Sequence, residues 1–154
     1  MSDAMVIRRA DMGDAWTIAA FNVAMAQETE QRTLPGQTVL DGVRNLIAHP
    51  EYGFYLVAES DTRPAACLLI TYEWSDWRNG LFWWIQSVYV QPGFRRQGIY
   101  RRMYQELKTM AAAEPGVCGF RLYVEKDNLP ARKTYSDLGM EETPYRMYEE
   151  LITR

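Results

Sequence analysis

The sequence predicts a single α/β domain with mixed strand directions, and three observations lead to this prediction. The chain of 154 residues is long enough to bury one hydrophobic core. Its composition, 47% hydrophobic and 24% charged, is that of a globular protein. Patterns typical of strands and helices alternate in the second half of the chain, which favours an α/β architecture. We therefore expect one domain that spans residues 1–154.

The first half of the chain contains patterns for three strands and two helices. Asp11 is a candidate N-cap for the first helix, and Pro35 and Gly36 separate that helix from the second. The turn DTRP separates two apolar runs that predict consecutive strands. In chain order, the predicted elements are a strand in MVIRRA, a helix in GDAWTIAAFNVAMAQET, a helix in VLDGVRNLIA, and strands in GFYLVAES and AACLLITYEW.

The second half begins with the most apolar run of the chain, LFWWIQSVYV. A near-continuous run of this kind predicts a strand that is buried on both faces. A helix is predicted from Gly98 to about Ala113, because Ile99, Met103 and Leu107 lie on one stripe. The remaining predicted elements are a strand in FRLYVEK, a short helix in NLPARKTYSDLG and a last strand in RMYEELI.

Charge and composition argue against several classes of protein. A net charge of −3 does not favour nucleic-acid binding, which usually needs a broad basic face. No apolar run approaches membrane-spanning length, and MSDAMVIRRA lacks a secretory apolar core. Cys67 and Cys118 lie among apolar neighbours and are interpreted as small core residues. His49 is the only histidine, so no metal site is expected. We infer a reduced, cytoplasmic environment.

A cluster of four arginines stands out in this weakly acidic chain: Arg95, Arg96, Arg101 and Arg102. The first two precede a predicted helix, where free backbone N–H groups and the helix dipole favour a negative ligand. Gly98 has no side chain, so a phosphate could approach the backbone closely. The alternative is a surface helix with solvated charges, which fits Arg101 and Arg102. The pattern therefore indicates a phosphate site at the helix start.

The stretch VYVQPGFRRQGIYRRMYQEL resembles the cofactor motif of the GNAT superfamily of N-acetyltransferases. That motif has Arg or Gln, two residues, Gly, one residue, then Gly or Ala, at a strand-to-helix turn. Arg95 and Gly98 match it. Tyr100 departs from the small residue of the last position, so its side chain must point away from the pyrophosphate.

A second stretch, LYVEKDNLPARKTYSDLGM, is similar to the superfamily's strand, Asn, short helix, Tyr and Gly-Phe ending. Asn128, Ala131, Tyr135 and Gly139 hold the matching positions, and Met140 replaces the aromatic residue. The two motifs occur in the expected order within a matching succession of elements. The resemblance in fold therefore covers nearly the whole chain, and its specific residues lie at about 85–140.

The resemblance implies a mixed, mostly antiparallel central sheet flanked by helices, the GNAT-like acyl-CoA N-acyltransferase fold. It also implies acetyl-CoA as the cofactor, coenzyme A as the product, and no metal. Amides of the loop Arg95–Tyr100 would hold the pyrophosphate, and the preceding strand would pair with the pantetheine arm between two splayed strands. The implied cofactor-binding residues are Val88, Tyr89, Val90, Arg95, Arg96, Gln97, Gly98, Ile99, Tyr100, Asn128 and Tyr135.

The catalytic roles also follow from the resemblance. Acetyl transfer to an amine needs a neutral amine, a donor to the developing oxyanion, and a proton for the leaving thiolate. Tyr135 is the candidate proton donor, and the N–H of Val88 is the candidate oxyanion donor. Many relatives carry a glutamate base where this chain has Gln86, which cannot take a proton. Gln86 is therefore a candidate for orienting water or the acceptor. The candidate substitute bases are Glu73, Asp76 and Glu125, and a water chain is a further alternative.

The acceptor site is predicted to draw on the first two helices and on the turn YEWSDWRNG. Trp74 and Trp77 flank this turn, and Glu73 and Asp76 beside them would suit a cationic amine through charge and cation–π attraction. The expected function is acetyl-CoA-dependent N-acetylation of a primary amine on a small molecule or peptide, by direct attack in a ternary complex. The alternative is a non-catalytic acyl-CoA-binding or regulatory domain. Dimers are common among proteins with this resemblance, so a homodimer is an open alternative. The acceptor and the acyl length are left open.

Overall fold

The computed structural model describes residues 4–154 and contains, in this range, five strands and four α-helices. The chain divides into two compact units, Met1–Leu122 and Tyr123–Arg154. The prediction that 1–154 acts as one domain stays a prediction. In chain order the elements are β1 Met5–Arg9, α1 Ala15–Glu30, α2 Gly36–Ala48, β2 Gly53–Ser60, β3 Arg63–Ser75, β4 Gly80–Val90, α3 Ile99–Ala112, β5 Val117–Arg121 and α4 Leu129–Asp137.

The five strands of the first unit form one sheet in the order β1-β2-β3-β4-β5. The first three pairings are antiparallel, and the pairing of β4 with β5 is parallel. The parallel pairing requires a crossover, which α3 supplies. The predicted mixed, mostly antiparallel sheet flanked by helices is therefore confirmed.

The first unit has apolar side chains on both faces of its sheet. On one face, α1 and α2 share a buried cluster with alternate sheet residues, which include Val57, Cys67 and Tyr89. Residues of the other parity, such as Leu56 and Leu68, are also buried, and α3 packs on β2. Burial of both faces explains the continuous apolar runs that predicted these strands.

The start of α1 follows the sequence prediction closely. Asp11 accepts a hydrogen bond from the Gly13 N–H at 2.9 Å. Asp14 in turn accepts one from the Asp11 N–H at 2.8 Å, which completes a capping box around a short 3₁₀ turn. The two terminal nitrogens of Arg8, Nη1 and Nη2, donate to the carboxylate of Asp14 at 2.8 and 2.9 Å. These contacts tie the end of β1 to the start of the first helix.

Strand β5 differs from the prediction. The apolar pattern placed this strand in FRLYVEK and treated EPGVCG as a turn, whereas the strand is Val117–Arg121. Gly119 lies inside this strand. A side chain is excluded there, because a β-carbon would meet the Phe82 ring at 2.9 Å. This glycine thus serves close packing and not a turn. The prediction that Cys118 is a core residue is wrong, because its position on β5 leaves it exposed, whereas Cys67 is buried.

In the second unit, α4 begins after Asn128, whose side chain accepts from the Ala131 N–H at 3.3 Å. The Met140 N–H donates to the Tyr135 carbonyl at 3.0 Å and closes the helix end. The predicted last strand in RMYEELI is wrong, because residues 141–154 form neither helix nor strand. A strand requires a partner strand, and the sheet of the described residues consists of β1 to β5.

Candidate active site

The C-terminal half of β4 has an edge without a partner strand. β4 pairs with β5 only from Leu81 to Trp84, although β4 continues to Val90. Within the described residues, 85–90 therefore have no partner strand on the side that β5 occupies earlier. The backbone groups along such an edge can pair with an extended, amide-bearing ligand.

A β-bulge interrupts the other side of β4 at the same level. Cys67 of β3 pairs with Tyr89, but Leu69 pairs with Gln86, so β4 contains one extra residue between these pairs. Ser87 has φ of 52°, in the left-handed region. Ser87 and Val88 consequently stand outside the regular register with β3. Bulges of this kind change the direction of backbone groups beside functional sites.

The loop that follows β4 has a backbone suited to an anion. Arg96 and Gly98 both adopt left-handed conformations, with φ of 64° and 74°, a feature of loops in which successive N–H groups form a concave site. Helix α3 begins at Ile99, and no side chain caps it, so its first N–H groups are available to a ligand. A β-carbon at Gly98 would meet nothing within 4 Å, so the space above the backbone is open.

The side chain of Arg95 is held by the protein. Its Nη2 donates to Glu28 Oε1 at 2.7 Å, and its Nε donates to the Val90 carbonyl at 2.8 Å. The Tyr89 hydroxyl donates to the other oxygen of Glu28 at 2.7 Å. The hydrogen bonds from Arg95 and Tyr89 lower the pKa of Glu28. Arg95 therefore fixes the loop to α1 through Glu28.

Glu28 was missed by the sequence analysis. Its two partners lie 61 and 67 residues further along the chain, so no local pattern marks it. It is one exposed carboxylate in the last turn of α1, and such a residue carries no distinctive sequence signal.

The other loop residues fall into two groups. Tyr100 stacks on Tyr104 with ring centroids 6.2 Å apart, so its side chain follows the helix, as its departure from the motif requires. Arg96, Gln97 and Arg101 are exposed. Arg96 and Arg101 differ from Arg95, which is also exposed, because no ion pair found in the described residues includes them.

Gln86 faces β3 and lies just before the bulge. Its Nε2 donates to the Thr71 hydroxyl at 2.6 Å, and both side chains are partly buried. Thr71 was not singled out from sequence, because its proximity to Gln86 depends on the strand register. The bond fixes the amide plane and directs the Gln86 carbonyl oxygen, an acceptor, away from Thr71.

Glu73 belongs to a polar network on the same face of the sheet as Gln86. Its Oε1 accepts from the Trp84 indole N–H at 2.8 Å and from Arg121 at 2.9 Å. Arg121 also lies over the Phe82 ring, 3.8 Å from its centroid. The bond from Trp84, followed by that from Arg121, lowers the pKa of Glu73. A carboxylate held in this way is a weak base.

The other candidate acceptor residues are arranged differently from the expectation of one pocket. Trp74 follows Glu73 on β3, and since strand side chains alternate it points to the opposite face. Asp76 and Trp77 lie in the turn between β3 and β4, where Trp77 is 86% exposed. The structure therefore brings Glu73 together with Trp84 and Arg121, and not with Trp74.

The second unit carries the remaining candidates. Asn128 is the N-cap of α4. Tyr135 lies on the same helix, and burial raises the pKa of its hydroxyl, so that it keeps its proton at neutral pH. Glu125 accepts from the Asp127 N–H at 2.8 Å and so stabilises the turn before α4.

The described residues lack a metal-binding cluster and a membrane-spanning helix. Residues 4–154 contain no group of three or more His, Cys, Asp or Glu side chains placed to hold a metal ion. In the same range, no helix combines the length and the apolar character needed to cross a membrane.

Comparisons with known proteins agree with this geometry. The model of the acetyltransferase (GNAT) family matches residues 17–140. None of the curated protein sequences compared with the chain matches it significantly. The chain is similar to a crystal structure of a possible acetyltransferase from Clostridium difficile 630, with 42% identity and a TM-score of 0.91. That match covers 97% of this chain and 99% of the other.

Two more distant structures share the fold. A predicted acetyltransferase from Clostridium acetobutylicum, crystallised with acetyl-CoA, matches with 20% identity and a TM-score of 0.77, over 95% of this chain and 96% of the other. Ribosomal-protein-alanine N-acetyltransferase from Brucella melitensis matches with 15% identity and a TM-score of 0.78, over 97% and 100%. The mixed sheet and its flanking helices match the fold of these acetyltransferase structures. The chain belongs to the GNAT acetyltransferase family, which supports acyl transfer from acetyl-CoA.

Proposed function

We propose that this protein transfers an acetyl group from acetyl-CoA to a primary amine of a small molecule or peptide, by direct attack in a ternary complex. The observation that carries the proposal is the continuity of the free edge of β4 at 85–90 with the loop Arg95–Tyr100 and the start of α3. The extended pantetheine arm of acetyl-CoA requires the free strand edge, and its pyrophosphate requires the loop and the helix start that follow.

The residues present fit acetyl-CoA. The carbonyl of Val88 and the N–H of Val90 would pair with the amides of the pantetheine arm, while Tyr89 turns its side chain toward Phe21, at a ring distance of 5.2 Å. The open space at Gly98 and the uncapped start of α3 suit a pyrophosphate. The N–H groups of the loop would make these contacts. Asn128 is proposed to act by capping α4, the helix that bears Tyr135.

The exposed arginines add charge near the helix start. Arg96 and Arg101 have no competing acidic partner among the contacts found in residues 4–154. They are the candidates for charge-assisted contacts with the phosphates of coenzyme A. Arg95 acts differently, because Glu28 and the Val90 carbonyl already engage it.

Bound acetyl-CoA supplies a thioester, whose C–S bond breaks as the amine nitrogen bonds to the acetyl carbon. The Val88 N–H, displaced from regular pairing by the bulge, is the proposed oxyanion donor. Tyr135 is the proposed proton donor to the leaving sulfur, because it holds the tyrosine position of the second family motif and its hydroxyl is protonated at neutral pH. Gln86 is proposed to orient the acceptor or a water through its carbonyl oxygen, with Thr71 holding its NH₂ group.

The chain offers no strong base at the position of Gln86. Among the candidate substitutes, Glu73 has a lowered pKa and Glu125 is engaged in a turn. Asp76 is the candidate that these contacts leave unengaged. We therefore favour an acceptor that supplies its own neutral amine, such as a peptide α-amine with a pKa near ~8, and not a lysine-like amine near ~10.4. A cytoplasmic location is part of the same proposal.

The second candidate function is a non-catalytic acyl-CoA-binding domain. The amide of Gln86, which cannot accept a proton, is the observation that favours it. Both functions predict coenzyme binding, but only the first predicts turnover.

An assay of thiol release from acetyl-CoA, with α-amines and lysine-like amines as acceptors, tests the proposal. The expected result is amine-dependent release that is greatest for the amines of lower pKa. Binding of acetyl-CoA with no release for any amine would support the second candidate and contradict the first. Release that does not depend on an amine would indicate hydrolysis and would contradict direct transfer to an amine.

A further inference from the structure

A cavity of about 190 Å³ lies on the face of the sheet on which α3 packs. Tyr72 pairs with Trp83 across β3 and β4, and Leu81 pairs with Val117 of β5, so these residues are neighbours in the sheet. The volume is below the ~300–1,000 Å³ of most sites for drug-sized ligands, so an occupant must be small. Every lining residue belongs to the first unit: Arg9, Tyr72, Leu81, Trp83, Glu114, Gly116 and Val117.

This cavity is separate from the proposed acetyl-CoA site. That site lies at the C-terminal half of β4 and at the start of α3, whereas Leu81 is near the start of β4 and Glu114 follows the end of α3. The helix between them has 14 residues and is therefore ~21 Å long. The proposed acetyl transfer uses none of the residues that line the cavity.

Two opposite charges line the cavity without pairing with each other. Within the first unit, no ion pair includes Arg9 or Glu114. Burial raises the pKa of the Tyr72 hydroxyl, while the charge of Arg9 lowers this pKa and the charge of Glu114 raises it. Both charges are therefore close to that hydroxyl, and a ligand with two charges can pair with each of them.

Both charged residues are held in place by the fold. The guanidinium of Arg9 lies over the Phe54 ring, 4.0 Å from its centroid. The Glu114 N–H donates to the Ala111 carbonyl at 3.0 Å, and its own carbonyl accepts from the Val117 N–H at 3.0 Å. Glu114 also lies just past the C-terminus of α3, where the helix dipole favours a cation. The cavity thus presents a cation from β1 and an anionic side next to the helix end.

We propose that this cavity binds a free apolar α-amino acid of about the size of leucine. The carboxylate of the amino acid would pair with the fork of donors on Arg9, and its ammonium group with Glu114. Its side chain would lie against Leu81 and Trp83. A polyamine would be repelled by Arg9, and a phosphate or a dicarboxylate by Glu114. The inference does not depend on the proposed acetyl transfer.

Calorimetric titration of the full chain with leucine, in the absence of acetyl-CoA, tests the proposal. Leucinamide lacks the carboxylate, and 4-methylpentanoate lacks the ammonium group. Each should bind about ten- to a hundredfold more weakly than leucine, because each loses one charge-assisted contact. Absence of leucine binding, or equal binding of leucine and either analogue, overturns the proposal.

Substitutions in the cavity test where leucine binds. Arg9→Gln should weaken leucine binding by the same factor and leave leucinamide binding unchanged, and Glu114→Gln should do the same for leucine and 4-methylpentanoate. Arg63→Gln is the matched control, because Arg63 also lies over an aromatic ring, that of Phe94, at 5.2 Å. This control should bind leucine as the wild type does. Leucine binding that survives both cavity substitutions, or that is lost in Gln86→Leu instead, overturns the proposal.

Discussion

Gln86 and Tyr135 carry the proton chemistry of the proposed reaction in different ways. Gln86 has an amide, which cannot take a proton, and its bond to Thr71 supports the orienting role proposed for it. Tyr135 has a hydroxyl whose pKa is raised by burial, so it is protonated at neutral pH and has a proton to give to the leaving thiolate in the proposed reaction. The difference predicts separable effects of substitution.

Tyr135→Phe should lower turnover by about ten- to a thousandfold, because it removes only the hydroxyl that we propose as the positioned acid. The affinity for acetyl-CoA should change little. Steady-state turnover and a binding isotherm measure the two quantities. Equal turnover in wild type and variant, with the chemical step shown to be rate-limiting, would exclude the proton-donor role.

Gln86→Leu should impair turnover, because it removes the oriented amide, while Gln86→Glu should be tolerated. If the acceptor supplies its own neutral amine, the rise of kcat/KM with pH should follow the pKa of each acceptor. A lower limb that stays at one pH for every acceptor would instead indicate a carboxylate relay. Asp76→Asn and Glu73→Gln test this alternative. The variant that flattens the lower limb identifies the carboxylate of the relay.

The loop between β4 and α3 is held at both ends. Arg95 and Tyr89 fix its beginning to Glu28 of α1, and the stacking of Tyr100 on Tyr104 fixes its end to α3. The middle, at Arg96 and Gly98, stays open with left-handed backbone. A loop with fixed ends and an open centre loses little conformational entropy when an anion binds.

Gly98→Asp should abolish the rise in melting temperature that acetyl-CoA causes in the wild type, because it places a negative charge where the pyrophosphate is proposed to bind. Gly98→Asn is the matched control, since both residues tolerate a positive φ and differ in charge. Differential scanning fluorimetry, with and without acetyl-CoA, gives the comparison. Equal stabilisation of Gly98→Asp and wild type would contradict the phosphate site.

Asp14 gives the junction of β1 and α1 a pH-dependent stability. The hydrogen bonds from Arg8 lower the pKa of Asp14 in the folded protein. A group with a lowered folded pKa contributes its full stability above its unfolded value, near ~3.9, and loses it as pH falls through the folded pKa. Asp14→Asn should therefore cost about 1 kcal/mol at neutral pH and flatten the decline below pH ~4. Thermal unfolding at several pH values measures it, and a parallel decline in both proteins would contradict this assignment.

For the molecule as a whole, direct transfer predicts that no acyl-enzyme forms. Burial raises the pKa of the Cys67 thiol to about 12, so it stays protonated and unreactive at neutral pH. The exposed thiol, Cys118, lies on β5. Initial-rate plots against both substrates should intersect, as a ternary complex requires, and Cys118→Ser should retain full activity. Parallel lines, or inactivation by Cys118→Ser, would indicate a covalent intermediate.

The sequence predicted what depends on local pattern and missed what depends on register. Apolar runs identified β2, β3 and β4, because burial on both faces leaves an unmistakable composition. The position of β5 was missed because Gly119 resembles a turn residue and in fact makes room for Phe82. The bonds from Thr71 to Gln86 and from Glu28 to Arg95 join distant parts of the chain, and no single stretch encodes them.

The bulge at Ser87 shifts, within β4, the alternation of side chains between the two faces of the sheet. In an uninterrupted strand, Gln86 and Tyr89 would face opposite ways, because they are three residues apart. The extra residue puts both on the face that bears Cys67 and Leu69, so one strand supplies both the polar group proposed to contact the acceptor and an anchor for the loop. Deletion of Ser87 would leave every nearby side chain in the sequence and still turn Tyr89 away from Glu28. The spacing of these residues is therefore required as strictly as their identity. We expect deletion of one residue here to disrupt the loop anchor more than most substitutions would.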